Sequence, residues 1–420
     1  MMKFGSYHKD RNAYIFAGEP LTIHTDYYNC FLQKSIEDIN QYIDINSILI
    51  NSAQEIAYNQ FSNCFKQKTN WKEEQRKEIV EKYFSFCGFG KIDLKNVHRK
   101  GGYVETESEH YGLSWKKIYG QRQPDQEGVA YFTMGFLCGA TEAIHDIVLG
   151  TFDAKLIRCV SKGDSATRID VFRGLKKKLQ NSAGEGEIQS FTDQPTSTAT
   201  AVNYDDILET FTSAEIEGNE ETGLLQAYGS TITRHYANYY SLISVRILMA
   251  LEKKYKRDGV SKAKSIVIQS AQMSAFHLLG NLISSKEWKT TIAPSVNSTE
   301  DQLHGILAFI NTLGWGKWEV ERFNPSGKST FNIIGSSESN AYLKMVGKTK
   351  APICFFLEGM VTGIMNMVYN NRLVADKSLD ENQYNAIFKS ENRYVVVDAK
   401  TRMMGEESDR FTVCRKDFVS

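Results

Sequence analysis

The sequence has no net charge, because 50 basic side chains balance 50 acidic ones among its 420 residues. A balanced chain has no overall field that attracts nucleic acid or an anionic membrane, so we predict neither as a partner. No uncharged apolar run approaches the roughly 18 residues of a membrane span, and the start, MMKFGSYHKDRN, lacks the apolar core of a signal peptide. The best candidate for a span, FFLEGMVTGIMNMVY from Phe355, contains Glu358, and we interpret it as a buried helix.

Paired cysteines are also absent. The seven cysteines are widely scattered, which indicates reduced thiols and predicts a cytoplasmic protein. The motifs Cys-x-x-Cys, His-Glu-x-x-His and Gly-x-Ser-x-Gly do not occur in the sequence. The stretch FNPSGKST from Phe323 is not a phosphate-binding loop, because Arg322 stands where that motif needs a glycine, and we interpret it as a turn.

The sequence does contain a repeated phrase, INSAQEIAYNQF from Ile50 and IQSAQMSAFHLL from Ile268. In both copies apolar residues recur at intervals of three and four, which predicts an amphipathic helix. Two alanines lie at the centre of each apolar stripe: Ala53 and Ala57, and then Ala271 and Ala275. Such small residues would let a neighbouring element approach each helix closely.

Four further pairs of blocks follow one order along the chain. They are HTDYYNCFL from His24 with HYANYYSLI from His235, FCGFGKIDL from Phe86 with TLGWGKWEV from Thr312, SEHYGLSWKKIYG from Ser108 with SESNAYLKMVG from Ser337, and AYFTMGFLCGATEA from Ala130 with CFFLEGMVTGIMNM from Cys354. The last pair carries Gly-x-x-x-Gly in both copies, which predicts a close helix-packing face. The matched order indicates an internal duplication.

We therefore predict an α/β (α+β) protein made of two tandem repeats, each with helices packed on a small antiparallel sheet, and related by pseudo-two-fold symmetry. The predicted first domain covers 1–175, a linker covers 176–222, and the second domain covers 223–420. Each copy should end in a pair of strands, LIRCVSKGDSATRIDVF from Leu156 and YNAIFKSENRYVVVDA from Tyr384. A short helix is predicted in DDILETFTSAEIEG, after the linker's Ser- and Gly-rich part. The chain is then a pseudo-dimer, and a true homodimer stays open.

The first copy resembles the 4-vinyl reductase domain, a small-molecule-binding α/β module. The residues that carry the resemblance are MGFLCGATEA and IRCVSKGDSATRIDV, with a Cys-x-x-x-Gly-Asp turn at Cys159, Gly163 and Asp164. The second copy is similar through PICFFLEGMVTG and AIFKSENRYVVV. Such domains are similar in fold to a vesicle-tethering subunit family and to haem-based nitric-oxide sensors. Relatives include input domains of aromatic-hydrocarbon-responsive regulators and proteins tied to bacteriochlorophyll synthesis.

The regulator branch of that family holds a structural zinc with three cysteines and a glutamate. The corresponding positions here are Ala130, Leu156, Cys159 and Thr167 in the first copy, and Cys354, Gln383, Ala386 and Tyr394 in the second. Each copy keeps one ligand of four, so zinc is disfavoured. Haem is a minor alternative, because a suitable histidine is present without a haem-propionate motif. We predict no metal and no cofactor.

The resemblance implies that the chain binds a small apolar or aromatic metabolite, as a sensor or carrier without its own output domain. It would then act through a regulatory or pathway protein partner. The predicted ligand-binding residues are the paired His and Tyr clusters and nearby aromatic side chains: His24, Tyr27, Tyr28, His110, Trp115, Tyr131, Phe132, Phe136, His235, Tyr239, Phe355 and Phe356.

Two alternative functions stay open. The first is an enzyme of tetrapyrrole or aromatic-metabolite biosynthesis that uses the same pocket, with His24, Tyr28 or His110 as acid or base; we lean against catalysis. Glu142 or Glu358 would become a further candidate acid or base if one of them proved to be buried. The second is a scaffold or interaction protein whose pockets have collapsed.

Overall fold

The structure is a computed structural model that describes residues 4–179, 200–214, 216–370 and 378–418. Its helices are α1 (Asp26–Glu37), α2 (Ile45–Lys66), α3 (Glu73–Phe86), α4 (His110–Tyr119), α5 (Tyr131–Ile144), α6 (Tyr204–Ser213), α7 (Ala237–Ser284), α8 (Thr299–Ile310), α9 (Ser337–Met345), α10 (Phe355–Met365) and α11 (Glu381–Phe388). Its strands are β1 (Ser6–His8), β2 (Ala13–Phe16), β3 (Glu19–Thr25), β4 (Val97–His98), β5 (Gly101–Thr106), β6 (Phe152–Arg158), β7 (Thr167–Arg173), β8 (Leu225–Ala227), β9 (Ser230–Tyr236), β10 (Lys317–Arg322), β11 (Lys328–Ile334), β12 (Tyr394–Lys400) and β13 (Asp409–Arg415).

The strands form small antiparallel sheets, and this confirms the predicted α+β class. One four-stranded sheet has the order β4-β5-β7-β6, and another has the order β10-β11-β13-β12, so the two halves arrange their own strands alike. A five-stranded sheet, β1-β2-β3-β9-β8, contains strands of both halves. We call the β3–β9 junction, where Leu21 pairs with Tyr236 and Thr25 with Ile232, the seam.

The seam contacts are reciprocal. The N–H of Ile23 in β3 donates to the Leu313 carbonyl at 2.9 Å, and the N–H of Arg234 in β9 donates to the Cys87 carbonyl at 2.9 Å. Each half therefore supplies a turn that hydrogen-bonds to the seam strand of the other half. Reciprocal contacts are what a two-fold arrangement of repeats produces. The pseudo-two-fold relation itself and the domain boundaries stay predictions.

The repeated phrase lies on two helices that each pack against a Gly-x-x-x-Gly helix, α2 on α5 and α7 on α10. A Cβ atom on Gly135 would lie 2.1 Å from the Ile50 carbonyl oxygen and 2.7 Å from the Ala53 Cβ. A Cβ atom on Gly363 would lie 2.6 Å from the Ala275 Cβ. The small residues on both sides let the helix backbones nearly touch, so the predicted close-packing face is confirmed.

Helix α7 consists of two helices joined by a sharp turn. Lys256 has φ 53° and ψ −130°, values outside the helical region, so the helix breaks there. A Cβ on Gly259 would lie 2.2 Å from the Leu251 carbonyl oxygen, which shows how closely the second helix begins against the first. Among the described residues, α7 alone is long and apolar enough to cross a membrane, and 61% of its most apolar window is buried, as in a core helix.

The matched blocks FCGFGKIDL and TLGWGKWEV differ in structure, because residues 86–94 contain no strand. In the first half only Val97–His98 forms the first hairpin strand, whereas the second half has the six-residue strand Lys317–Arg322. Gly88 and Gly90 have φ of +79° and +116°, and a Cβ on Gly90 would lie 2.0 Å from the Ser108 carbonyl oxygen. The segment is therefore a tight turn pressed against another loop.

The terminal strand pair of the second copy is misplaced in the prediction. Residues Glu381–Phe388 form α11, whose N-cap Asp380 accepts a hydrogen bond from the Gln383 N–H at 2.9 Å. The strand pair lies further on, in Tyr394–Lys400 and Asp409–Arg415. Its turn ends at Gly405 (φ +104°), as the first-half turn ends at Gly163 (φ +93°).

This position changes the comparison of the zinc ligands. Counted from the two glycines, Thr401 corresponds to Cys159 and Asp409 corresponds to Thr167. The predicted equivalents in the second copy, Gln383, Ala386 and Tyr394, are therefore wrong, because the strand pattern was matched to a helix. The short helix predicted in DDILETFTSAEIEG is confirmed as α6. Of the predicted linker, residues 180–199 and 215 lie outside the described residues.

Candidate functional site

Most of the predicted His and Tyr residues meet at the seam, because β3 and β9 end there and α1 and α7 begin there. The His24 ring lies 4.6 Å from the Tyr28 ring of its own half. It also lies 4.7 Å from the Tyr240 ring and 5.4 Å from the Trp315 ring, both of the other half. Phe356 contributes a further ring at 5.8 Å. One half therefore surrounds the histidine of the other.

His235 has the converse arrangement. Its ring lies 5.0 Å from Tyr239 and 4.6 Å from Tyr240 in its own half, and 4.5 Å from Phe132 and 4.9 Å from Phe89 in the first half. Phe89 and Trp315 occupy the middle of the matched Gly-Phe-Gly and Gly-Trp-Gly turns. The turns that pack on the seam thus also carry the rings that cover the histidines.

Asn29 connects this cluster through hydrogen bonds. Its side-chain nitrogen lies 3.0 Å from His110 Nε2 and donates to Thr233 Oγ1 at 3.0 Å, and its oxygen accepts from the Tyr240 hydroxyl. A second bond joins the Tyr111 hydroxyl to His235 Nε2 at 2.8 Å. We define the seam cluster as His24, Tyr28, Asn29, His110, Tyr111, Thr233, His235, Tyr239 and Tyr240.

The imidazoles of the seam cluster are neutral at neutral pH. Burial lowers the pKa of His24 and of His110 to about 3, and burial lowers the pKa of His235 well below its usual value. Within the described residues the Nδ1 atoms of His24 and His110 lack a hydrogen-bond partner. Burial likewise raises the pKa of the Tyr28 hydroxyl. These pKa shifts favour the neutral form of each group near neutral pH.

The remaining predicted residues lie apart from the seam cluster. The Tyr27 ring stacks on His277 at 3.5 Å between centroids, and Trp115 lies under the Arg122 guanidinium at 4.5 Å. Phe136 packs at 5.0 Å from Phe84 inside the first half, and Phe355 lies 5.8 Å from the Lys264 amine. Tyr131 lies at an open cleft, which is the second feature of the site.

This cleft, which we call the β6 cleft, has a volume of about 470 Å³. It is bounded by the first turns of α2, by the loop and first turns of α5 from 125 to 134, and by β6 with the turn that follows it. Apolar side chains form much of its lining: Ile50, Tyr131, Met134, Leu156 and Ile157. Of the predicted ligand-binding residues, only Tyr131 is among those that line it.

Hydrogen bonds hold the walls of the β6 cleft. The Glu127 carboxylate accepts from the Asn46 amide at 2.8 Å and from the Tyr131 hydroxyl at 3.1 Å. At the end of β6 the Cys159 N–H donates to the Asp164 carboxylate at 2.8 Å. The Cys-x-x-x-Gly-Asp turn therefore shapes one end of the cleft.

Gly128 allows the loop before α5 to pack closely against β6 beside the cleft. A Cβ on Gly128 would lie 2.5 Å from the Leu156 Cδ2 and 2.7 Å from the Cys159 Cβ, so only glycine lets the loop approach β6. The β6 cleft and the seam cluster are linked by consecutive residues: Tyr131 lines the cleft, and Phe132 contacts His235.

Glu142 is buried, which is the condition that makes it a candidate acid or base. Burial raises the pKa of its carboxyl group to about 7. The carboxyl accepts from the Gln54 amide at 2.9 Å and from the Phe152 N–H at 2.8 Å. Glu142 does not line the β6 cleft. Its hydrogen bonds connect α2, the helix of the repeated phrase, to the start of β6.

Sequence reasoning missed Asn29, Tyr111 and Thr233 in the seam cluster and Glu127 in the β6 cleft. Asn29 directly follows the predicted Tyr28, and a polar side chain on the buried stripe of α1 was an available signal. Nothing local indicated Glu127, because its role depends on α2. In the described part of the chain, no group of three or more His, Cys, Asp or Glu side chains is placed to hold a metal ion.

Comparisons with known proteins yield little beyond this geometry. The sequence matches no protein-family model, and a search of curated proteins finds no significant match. Among solved structures, the chain is similar to the crystal structure of the phenol-responsive sensory domain of the transcription activator PoxR with phenol, at a TM-score of 0.36 and 12% identity. The match covers 50% of this chain and 90% of that one. A likeness of this size carries no argument about function.

Proposed function

We propose that this chain binds a small, largely apolar or aromatic molecule in the β6 cleft of its first half. The observation that carries the proposal is the cleft itself: about 470 Å³ in volume, lined with Ile50, Tyr131, Met134 and Leu156. Small-molecule sites commonly have volumes of about 300–1,000 Å³ and mostly apolar walls with a few placed polar groups. Glu127, held by two hydrogen bonds, is such a polar group.

The seam cluster is a less favourable place for a ligand than the β6 cleft. Its rings lie at ordinary packing distances, such as 4.5 Å between Phe132 and His235, so a ligand there would have to displace a ring. Since the β6 cleft is open without any such displacement, binding there costs less reorganisation.

Binding without catalysis is the form of the proposal that the chemistry favours. His24, Tyr28 and His110, the candidate acid or base residues, do not line the β6 cleft. Burial keeps His24 and His110 neutral across the physiological range, which removes them as proton donors there. We extend the proposal to a cytoplasmic sensor or carrier of the 4-vinyl reductase type that passes its signal to a protein partner.

Fluorine NMR of a neutral aromatic probe, para-fluorophenyl-propanol, tests the proposal. The wild-type protein should broaden and shift the probe signal in a saturable way. The variant Ile157→Trp should weaken that binding at least tenfold, because Ile157 is 45% exposed and a larger ring there fills the cleft. Val148→Trp, at a residue 59% exposed outside the cleft lining, is the matched control and should bind as the wild type does. The proposal fails if the wild type does not bind, or if both variants bind equally.

A further inference from the structure

We infer that the ligand of the β6 cleft is an amphipathic zwitterion, with an apolar body, one ammonium and one carboxylate, as in a free amino acid with an aromatic side chain. The inference rests on the proposed function, because it names the chemical class of molecule that the same cleft accepts. It follows from how charge is distributed over the two walls of the cleft.

The two walls carry opposite charges. The loop wall has Asp125 and Glu127, and the β6 wall has Lys155 and Arg158, with Lys162 in the turn that follows. The Lys162 amine donates to the Pro124 carbonyl at 2.9 Å, which brings the end of the basic wall next to the start of the acidic one. The rest of the lining includes the apolar residues Ile50, Met134 and Leu156.

These opposite charges do not form ion pairs with each other in the described residues. Among the ion pairs of the described residues, none joins Asp125 or Glu127 to a basic side chain of the cleft. Arg158 pairs with Glu105 outside the cleft at 2.8 Å, with both side chains about two-fifths exposed, and such surface pairs contribute little. Arg158 can therefore exchange that partner for a ligand carboxylate.

Glu127 is positioned to receive a cation. Its Oε2 atom already accepts from the Asn46 amide and the Tyr131 hydroxyl, which orient the carboxylate without cancelling its charge. An ammonium on the loop side and a carboxylate on the β6 side would each meet its complement. The apolar body, which extends from the carbon that carries both charges, would cover Ile50, Met134 and Leu156. A singly charged molecule would leave one wall unmatched.

Four fluorine-labelled probes of one shape separate the possibilities: para-fluoro-phenylalanine, para-fluorophenyl-propanoate, para-fluorophenethylamine and para-fluorophenyl-propanol. We expect the amino acid to bind most tightly, by up to about fivefold over either singly charged probe, because an exposed ion pair contributes about 0.2–1 kcal/mol. Dissociation constants from fluorine NMR at one ionic strength give the ranking. Added salt should reduce the preference.

Charge-removing variants assign each half of the preference. Glu127→Gln should remove the advantage of the amino acid over the propanoate. Lys155→Gln combined with Arg158→Gln should remove its advantage over the amine. Glu107→Gln and Lys116→Gln, at exposed positions outside the cleft lining, are the matched controls and should keep the wild-type ranking.

The outcomes are distinguishable. If the neutral propanol binds and the amino acid binds no more tightly than the other probes, the zwitterion inference is wrong and the proposed function stands. If either singly charged probe equals the amino acid, or if the ranking survives the charge-removing variants, the inference is wrong as well. If no probe binds, both the inference and the proposed function fail.

Discussion

Swapping glycine and alanine between Gly363 and Ala275, which face each other across the α7–α10 contact, should test whether the small residues of the repeated phrase serve helix packing. In Gly363→Ala the new Cβ would lie 2.6 Å from the Ala275 Cβ, and the next nearest atom is 3.8 Å away at Gln272. One methyl–methyl overlap is therefore the whole of the conflict. Overpacking of this kind costs about 1–3 kcal/mol.

The double variant Gly363→Ala with Ala275→Gly should recover most of that loss. It removes the overlapping methyl, and the helix propensities of about 1 kcal/mol for glycine against alanine cancel between the two helices. Ala275→Gly alone should cost about 2 kcal/mol, from propensity and one lost buried methyl. The double-mutant cycle should therefore show a coupling of about 1–3 kcal/mol.

The first half offers a control that should behave differently. In Gly135→Ala the Cβ would lie 2.7 Å from the Ala53 Cβ but also 2.1 Å from the Ile50 carbonyl oxygen, which is backbone. Ala53→Gly removes only the first contact, so it should not rescue. Urea unfolding followed by circular dichroism measures all the variants. Additive effects at Gly363 and Ala275, or equal rescue at Gly135, would refute the packing argument.

Three further predictions concern buried polar groups. Glu142→Gln should flatten the pH dependence of stability. Burial raises the pKa of Glu142 from 4.5 to about 7, so the wild type should lose about 3 kcal/mol of unfolding free energy as the pH rises from 4.5 to 8. Parallel curves for the two proteins in urea unfolding would contradict this. His110→Asn should reduce the loss of stability at acid pH, because burial lowers the pKa of His110 from 6.5 to about 3. Through this group the wild type should lose about 2 kcal/mol of stability between neutral pH and pH 5, measured as melting temperature. An unchanged dependence of melting temperature on acid pH in the variant would contradict this. Tyr111→Phe should cost about 1–3 kcal/mol, since it leaves buried His235 Nε2 without its bond, whereas Tyr103→Phe at a residue 36% exposed should be nearly neutral in the same urea assay.

Helix faces were predictable because their signal is local. The spacing of Ala53 and Ala57, and of the glycines in α5, reports which side of each helix is small, and any close-packing partner would require that pattern. The α+β class followed from the same local periodicities. The predicted strands at Tyr384 failed because short mixed segments fit either period, and the N-cap at Asp380 decides for a helix.

The partners of those faces depend on contacts between distant parts of the chain. The His24 ring is covered by Trp315 and Phe356, which both lie about three hundred residues later or more, and no pattern near His24 predicts them. The β6 cleft likewise exists only where α2, the loop before α5 and β6 meet, so its charges stay scattered along the sequence until folding brings them together. Periodicity is a property of neighbouring residues, whereas burial, pKa and pocket shape arise from the long-range packing that folding creates.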